Sequence, residues 1–234
     1  MLNPVTFTPK SLEDYRAIAG DQVIEEILKL AAHVRGARLI HINSTPFGGG
    51  VAEMLTTLVP LMNDVGLETE WQVVRGDAKF FEVTKTMHDS LQGTGIQIPW
   101  SQYMGRVWLQ YNQINADLFD QDYDFVIIHD PQPAGILKMV LQSSNGVRHG
   151  KWLWRCHIDL TESREDVWHF LHPFIEIYDG LIFTLEDYVQ VGLGASNIFI
   201  MPPAIDPLSP KNVDLSPEVI AQALSPYGVN LNHP

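Results

Sequence analysis

The sequence predicts an α/β fold in which a parallel sheet carries helices on both faces. Three observations point there. Apolar runs of strand length alternate with segments of helical period between residues 37 and 201. Residues 124–129 (Asp-Phe-Val-Ile-Ile-His) have a continuous apolar middle, as strands buried on both faces do. Gly48, Gly49 and Gly50 join one such strand to a helix, a place where the chain can turn with no Cβ in the way.

Taken in order, residues 1–10, with Pro4 and Pro9, are expected to be extended. Ser11 with Asp14 resembles an N-cap pair, so a short helix to about residue 19 should follow. After Gly20, Asp21 is placed to cap a second helix, with Val23, Ile24, Ile27, Leu28, Ala31 and Val34 as one apolar stripe. Gly36 ends it, and residues 37–42 are the first strand. Val51, Leu55, Leu58, Val59 and Met62 recur at helical spacing, so a helix begins near Gly49 and runs to about Val65. Residues 68–75 read as the second strand. Phe80, Phe81, Val83, Thr84, Met87 and Leu91 suit a helix ending near Gly93, followed by a loop over 93–99. Residues 100–119 read as helix, with Tyr103, Val107, Tyr111, Ile114 and Leu118 on one side. Residues 124–129 form the third strand, and Asp130-Pro131-Gln132-Pro133 turns into a helix reaching about Ser143. The fourth strand spans 150–156. A loop over 157–162 leads to Ser163, placed to cap a helix carrying Val167, Phe170, Leu171 and Phe174. Residues 180–184 are the fifth strand, 186–191 a short helix and 197–201 the sixth strand. Prolines 202, 203, 207, 210 and 217 mark an exit segment with a short helix near 216–224. The expected division is a helical lead-in over 1–36, a sheet domain over 37–201 and a linker over 202–234.

In a parallel α/β sheet, ligands bind beyond the carboxyl ends of the strands. The first strand ends at Asn43-Ser44 and the glycines, and the third at His129-Asp130. The fourth ends at Arg155-Cys156-His157-Ile158-Asp159, and the sixth at Pro202-Pro203-Ala204-Ile205-Asp206. Polar groups therefore gather on one rim. The 234 residues carry 15 basic and 28 acidic side chains, a formal net charge of −13. That argues against a broad nucleic-acid or anionic-membrane surface, yet leaves room for one anion held in a glycine turn. Cys156 is the sole cysteine, so neither an intrachain disulfide nor a cysteine zinc site can form. The N-terminus lacks a basic run and an apolar signal core, and no apolar stretch nears the roughly 20 residues that span a bilayer. The expected compartment is the cytoplasm.

Each motif also has a plainer reading. The glycine turn is an anion-binding corner, a dinucleotide fingerprint or a simple tight turn. Gly48-x-Gly50 fits the first half of the fingerprint, and Glu68 or Glu70 lies at its acidic distance, but Glu53 stands where the third glycine belongs. His129-Asp130 is either a site pair or a strand end and a helix cap before proline. Arg155, His157 and Asp159 are either a site or ordinary loop residues. Their joint occurrence at strand ends favours the site. His157, His169 and His172 lack metal-ligand spacing, and no Gly-x-Ser-x-Gly elbow is present, so neither a metal nor an acyl-enzyme serine is expected. The six tryptophans read mostly as core.

Longer runs carry a resemblance. Asn43-Ser44-Thr45-Pro46-Phe47-Gly48-Gly49-Gly50-Val51-Ala52-Glu53 and Leu58-Val59-Pro60-Leu61-Met62-Asn63-Asp64-Val65-Gly66 resemble the start of the trehalose glycosyltransferring synthase and trehalose phosphorylase family. Phe80-Phe81-Glu82-Val83-Thr84-Lys85, His129-Asp130-Pro131-Gln132-Pro133, Trp154-Arg155-Cys156-His157-Ile158-Asp159 and the run from Pro202 to Asn212 continue it. The resemblance implies a retaining GT-B glycosyltransferase with two facing Rossmann-like domains, of which this chain matches the N-terminal, acceptor-side one. It implies trehalose formed from glucose and a nucleotide-glucose, with the donor bound mostly by a C-terminal domain that this chain does not match. On that basis Gly48, Gly49 and Gly50 would face the leaving phosphate, His157 the transferred glucose, and Asp130 the acceptor hydroxyls. Asn43, Ser44, His129, Gln132, Arg155 and Asp159 would be neighbouring substrate contacts. No covalent nucleophile, metal or other cofactor is implied. The alternatives are a phosphorylase domain using glucose 1-phosphate, a non-catalytic sugar-binding module, and a nicotinamide oxidoreductase disfavoured by Glu53. The domain alone is expected to be inactive, and its uncovered face to favour self-association or a separately encoded C-terminal half.

Overall fold

The computed structural model describes residues 2–95, 98–119, 122–194 and 197–228. Ile96 and Gln97 of the predicted 93–99 loop, and residues 229–234 of the exit segment, lie outside the described residues. The chain divides into two compact units, Met1–Pro203 and Ala204–Pro234.

The first unit is built on seven strands: β1 (Asn3–Pro4), β2 (Arg38–Asn43), β3 (Glu68–Val73), β4 (Phe125–His129), β5 (Lys151–Arg155), β6 (Gly180–Phe183) and β7 (Ile198–Ile200). Their order is β1-β3-β2-β4-β5-β6-β7. β2 through β7 pair in parallel, and β1 adds antiparallel to β3. Between them run α1 (Arg16–Ala19), α2 (Asp21–Ala31), α3 (Gly50–Asp64), α4 (Ala78–Leu91), α5 (Gln102–Asp117), α6 (Ile136–Ser143) and α7 (Glu165–Ile175). The predicted alternation is the observed one. β2 lies between β3 and β4, so the strand order reverses there, the switch point where such sheets open a crevice.

The core explains the order of the layers. Ile40, Ile42, Val126, Ile128, Trp152 and Trp154 are buried together with Trp108, Leu137, Leu171 and Ile175 from the helices. Full burial of each large apolar side chain contributes ~1.5–3 kcal/mol. A satellite cluster of Ala52, Leu55 and Val59 from α3 packs on Trp71 and Val73 of β3. Among the described residues no helix is long and apolar enough to cross a membrane.

Several local expectations differ from the structure. The N-terminal segment is extended as expected, and the difference is only that Asn3–Pro4 pairs as a strand with β3. Gly20 at φ 84, not Asp21, occupies the N-cap of α2, and Asp21 is the first helical residue. Of the predicted α2 stripe only Ile24 and Ala31 are buried, while Val23, Ile27 and Leu28 are exposed, because the helix meets only the small cluster of Leu12 and Val65. Ser11 does cap, accepting from Glu13 N, but the turn that follows is 3-10 before α1 forms. Ser163 donates to Gln190 Oε1 at 3.2 Å, leaving Arg164 at the N-cap of α7 without a side-chain bond. The predicted helix over 186–191 is a 3-10 turn, Glu186–Tyr188. The helix after Pro131 starts only at Ile136, since residues 131–135 form turns. The second unit holds α8 (Pro217–Leu224), capped by Ser216 Oγ accepting from Val219 N.

Gly150 feeds β5 at φ 66, and a Cβ there would lie 2.2 Å from Tyr123 O and 2.5 Å from Asp124 O. Both positions are backbone and cannot yield. Gly150→Ala is expected to destabilise the chain by at least ~2 kcal/mol in a urea unfolding curve, more than left-handed strain alone would cost.

Candidate functional site

The carboxyl ends of β2, β4 and β5 are adjacent, and each exit is tied down by side chains of the core. At β2, the buried Asn43 accepts from Trp71 Nε1 at 2.7 Å and donates from Nδ2 to Thr45 O at 2.8 Å. Thr45 Oγ1 donates to Phe47 O at 2.8 Å. Gly48 at φ 71 and Gly49 at φ 91 then reverse the chain into α3. A Cβ on either would meet nothing within 4 Å, so these positions need glycine for backbone conformation and not for space. Gly49 at the N-cap offers α3 no side-chain cap, and the first N–H groups of the helix, which have no intrahelical partner, lie beside the exposed turn.

At β4, Asp130 follows His129 with φ 63, a left-handed conformation that a non-glycine residue seldom adopts. Three bonds to β5 and its exit hold it. Its N–H donates to Arg155 O at 2.9 Å, its carbonyl accepts from Trp154 Nε1 at 2.9 Å, and its Oδ1 accepts from His157 N at 2.8 Å. Burial raises its pKa to about 7, opposed by the His157 N–H and the Arg155 charge. Pro131 O accepts from Trp108 Nε1 at 3.0 Å. Asn112 steadies the turn, donating to Gln132 O at 3.1 Å and accepting from Gly135 N at 3.0 Å.

The most distinctive feature is a chain of imidazoles across three strands. His41 Nδ1 lies 2.9 Å from His129 Nε2, and His129 Nδ1 lies 2.9 Å from His157 Nε2. His41 Nε2 lies 3.5 Å from Met62 Sδ on α3. The rings of His129 and His157 stack at 20°. Burial pushes His41 and His157 down to about 3, helped by the Arg155 charge, and pushes His129 well below its ordinary value. All three rings are neutral at physiological pH.

The sequence candidates are therefore divided. Gly48, Gly49, Gly50, Asp130 and His157 follow the carboxyl ends of β2, β4 and β5, on one rim of the sheet. Asn43 and His129 are buried beneath it, and their polar atoms are committed to the scaffold. Arg155, 6% exposed, donates from Nη2 to Met201 O at 3.3 Å, while its Nε is buried with no partner among the described residues. Gln132 Oε1 is likewise buried and unpartnered among them. Asp159 Oδ1 accepts from Thr161 N at 2.9 Å and Thr161 Oγ1 at 2.6 Å, which closes its own turn and lowers its pKa. Ser44 lines a cleft of about 840 Å³ with Thr45, Phe47, Val74, Arg75 and Phe81; of the candidates it alone does so. His41 and Met62 were not among the candidates. Their signal lies in strand adjacency, because His41 reads within its strand as an isolated polar position.

Residues 41–190 match the family model of the trehalose synthase N-terminal domain. Trehalose synthase of Thermococcus litoralis is 43% identical over 96% of this chain and 53% of its own length. The trehalose synthase of Rubrobacter xylanophilus is 41% identical over 100% of this chain and 56% of its own length. Trehalose phosphorylase of Pleurotus pulmonarius is 25% identical over 88% of this chain and 30% of its own length. The chain spans about half the length of these synthases. Among solved structures, a trehalose-6-phosphate synthase aligns with TM-score 0.56 and 14% identity, over 82% of this chain and 55% of that one. A related E. coli structure bound with UDP-2-fluoro glucose aligns with TM-score 0.55 and 14% identity, over the same shares of the two chains. These two show a shared fold.

Two stability predictions follow from the geometry. Gly49→Ala is expected to cost ~1–2 kcal/mol, whereas Gly50→Ala, at an ordinary helical φ with open space, is expected to be neutral or slightly stabilising in the same unfolding assay. Asp130 has a folded pKa above its unfolded value. Between about pH 4 and 7 the native state holds the extra proton, so this group's contribution falls as pH rises and the penalty is complete above 7. Asn keeps the acceptor oxygen and tolerates the left-handed backbone. Asp130→Asn should therefore be more stable than the parent at pH 8, by on the order of 1–3 kcal/mol, with the gap closing towards pH 4.

Proposed function

The chain belongs to the trehalose synthase family, and from that premise we propose that it is the acceptor-side half of a retaining glucosyltransferase that moves a glucosyl group from a nucleotide-glucose to glucose, releasing the nucleotide. The carrying observation is the 2.8 Å bond from His157 N to Asp130 Oδ1, which ties the exit of β5 to that of β4, the sheet neighbour of β2 and its glycine turn. The family match supports the trehalose product. The E. coli structural neighbour bound with UDP-2-fluoro glucose supports a nucleotide-sugar donor.

In this reading the N–H groups at Gly48, Gly49 and Gly50 meet the leaving phosphate, where negative charge grows as the glycosidic bond breaks. The acceptor hydroxyl attacks the anomeric carbon from the face the phosphate leaves. One carbon–oxygen bond forms, one breaks, and the hydroxyl proton passes to the departing phosphate. Asp130 orients acceptor hydroxyls and His157 contacts the transferred glucose. Arg155 contributes positive charge from beneath, held in a low-dielectric setting where it is poorly screened. Asn43 and His129 act as supports of the site. The donor nucleotide belongs on the part of the synthases that this chain does not span, so the 234-residue chain alone should not turn over. A phosphorylase reaction on glucose 1-phosphate is the second reading, supported by the Pleurotus relative at lower identity.

Fusion to the C-terminal half of the Thermococcus litoralis relative provides the test. The fusion is expected to make trehalose from glucose and a nucleotide-glucose, with little product from glucose 1-phosphate. His157→Ala and Asp130→Asn should each cut turnover at least tenfold, or at least ~1.4 kcal/mol of transition-state stabilisation. Unchanged rates in both variants would overturn the site assignment. Product from glucose 1-phosphate alone would move the reading to the phosphorylase.

A further inference from the structure

The three imidazoles have only one favourable hydrogen-bond direction, and we infer that Met62 sets it, so that His157 presents an unprotonated Nδ1 to a sugar hydroxyl. A thioether sulfur accepts hydrogen bonds and cannot donate one. His41 Nε2, 3.5 Å from Met62 Sδ, is favourably placed only if it carries the proton. A bare Nε2 would set a nitrogen lone pair against a sulfur lone pair in a partly buried contact.

Neutrality fixes the rest. Each ring has one proton to place, since burial and the Arg155 charge keep all three uncharged. With its proton on Nε2, His41 has a bare Nδ1, which accepts from His129 Nε2–H across 2.9 Å. His129 Nδ1 is then bare and accepts from His157 Nε2–H across 2.9 Å. His157 Nδ1 is left as a lone-pair acceptor, and no protein group among the described residues bonds it. His157 is only partly buried, unlike His41 and His129. A bare nitrogen accepts from a hydroxyl and repels a phosphate oxygen. The group recognised here is therefore a neutral sugar hydroxyl, which deepens the proposed function and rests on its placement of glucose against His157. His41, His129 and Met62 are positioning residues that touch no ligand.

The test is a two-bond proton–nitrogen correlation spectrum of the 234-residue chain with ¹⁵N-labelled histidine, the His157 signals being assigned by their loss in His157→Ala. The expected spectrum shows His157 with Nε2 protonated and Nδ1 bare, unchanged across about pH 5 to 8, the range where an ordinary histidine titrates. Met62→Leu keeps the volume and removes the acceptor. It is expected to move His157 Nδ1 to the intermediate shift of a tautomer mixture. A proton on His157 Nδ1 in the parent chain would overturn the inference, as would a His157 tautomer unaltered by Met62→Leu. The readout needs no turnover. A fusion that fails to make trehalose would therefore sink the proposed reaction and leave this result standing, and the reverse failure is equally distinct.

Discussion

The structure turns on how Asp130 is held. A residue with a Cβ at φ 63 stores strain on the order of 1–3 kcal/mol and persists only when its surroundings over-determine it. Here the amide, carbonyl and carboxylate of one residue each bond the end of β5. Those bonds lock two neighbouring strand exits in register and bring His157 under the carboxylate. The left-handed backbone also lets the chain leave β4 sharply, so that Pro131 can begin the turn to α6.

Core tryptophans supply much of that rigidity. Trp154 donates to Asp130 O, Trp108 to Pro131 O and Trp71 to Asn43 Oδ1. Each buries a large apolar body in the sheet–helix layers and spends its one N–H on a loop at the site. The hydrophobic effect that folds the sheet thereby also positions the rim. The same burial governs the electrostatics, keeping three imidazoles neutral, raising the Asp130 carboxyl and leaving the Arg155 guanidinium short of partners. An acidic protein of net charge −13 thus carries a local site with a buried cation, Arg155, acting on Asp130.

The fold was legible because its signals are periodic. A continuous apolar run marked β4, helical spacing marked α3, and polar residues at the ends of β2, β4, β5 and β7 marked the rim. The glycine turn was legible because strand, glycines and helix follow one another directly. What stayed hidden depends on strand adjacency. Nothing local says that β2 lies beside β4, so His41 could not be joined to His129, nor His129 read as a buried support. The exposed face of α2 was missed for a related reason: periodicity shows an apolar stripe but not how much surface exists to cover it. Asp159 and Ser163 looked like site and cap residues, yet each found a closer local partner, in Thr161 and Gln190.

The central claim is that the exits of β2, β4 and β5 form one wall of a sugar-binding cleft. Titrating the ¹⁵N-labelled chain with trehalose and following its backbone amides tests this most directly. The account predicts that the largest shifts fall on His157, Asp130 and Gly48 through Gly50. Shifts confined to Val74, Arg75 and Phe81, or no shifts at saturating sugar, would contradict it.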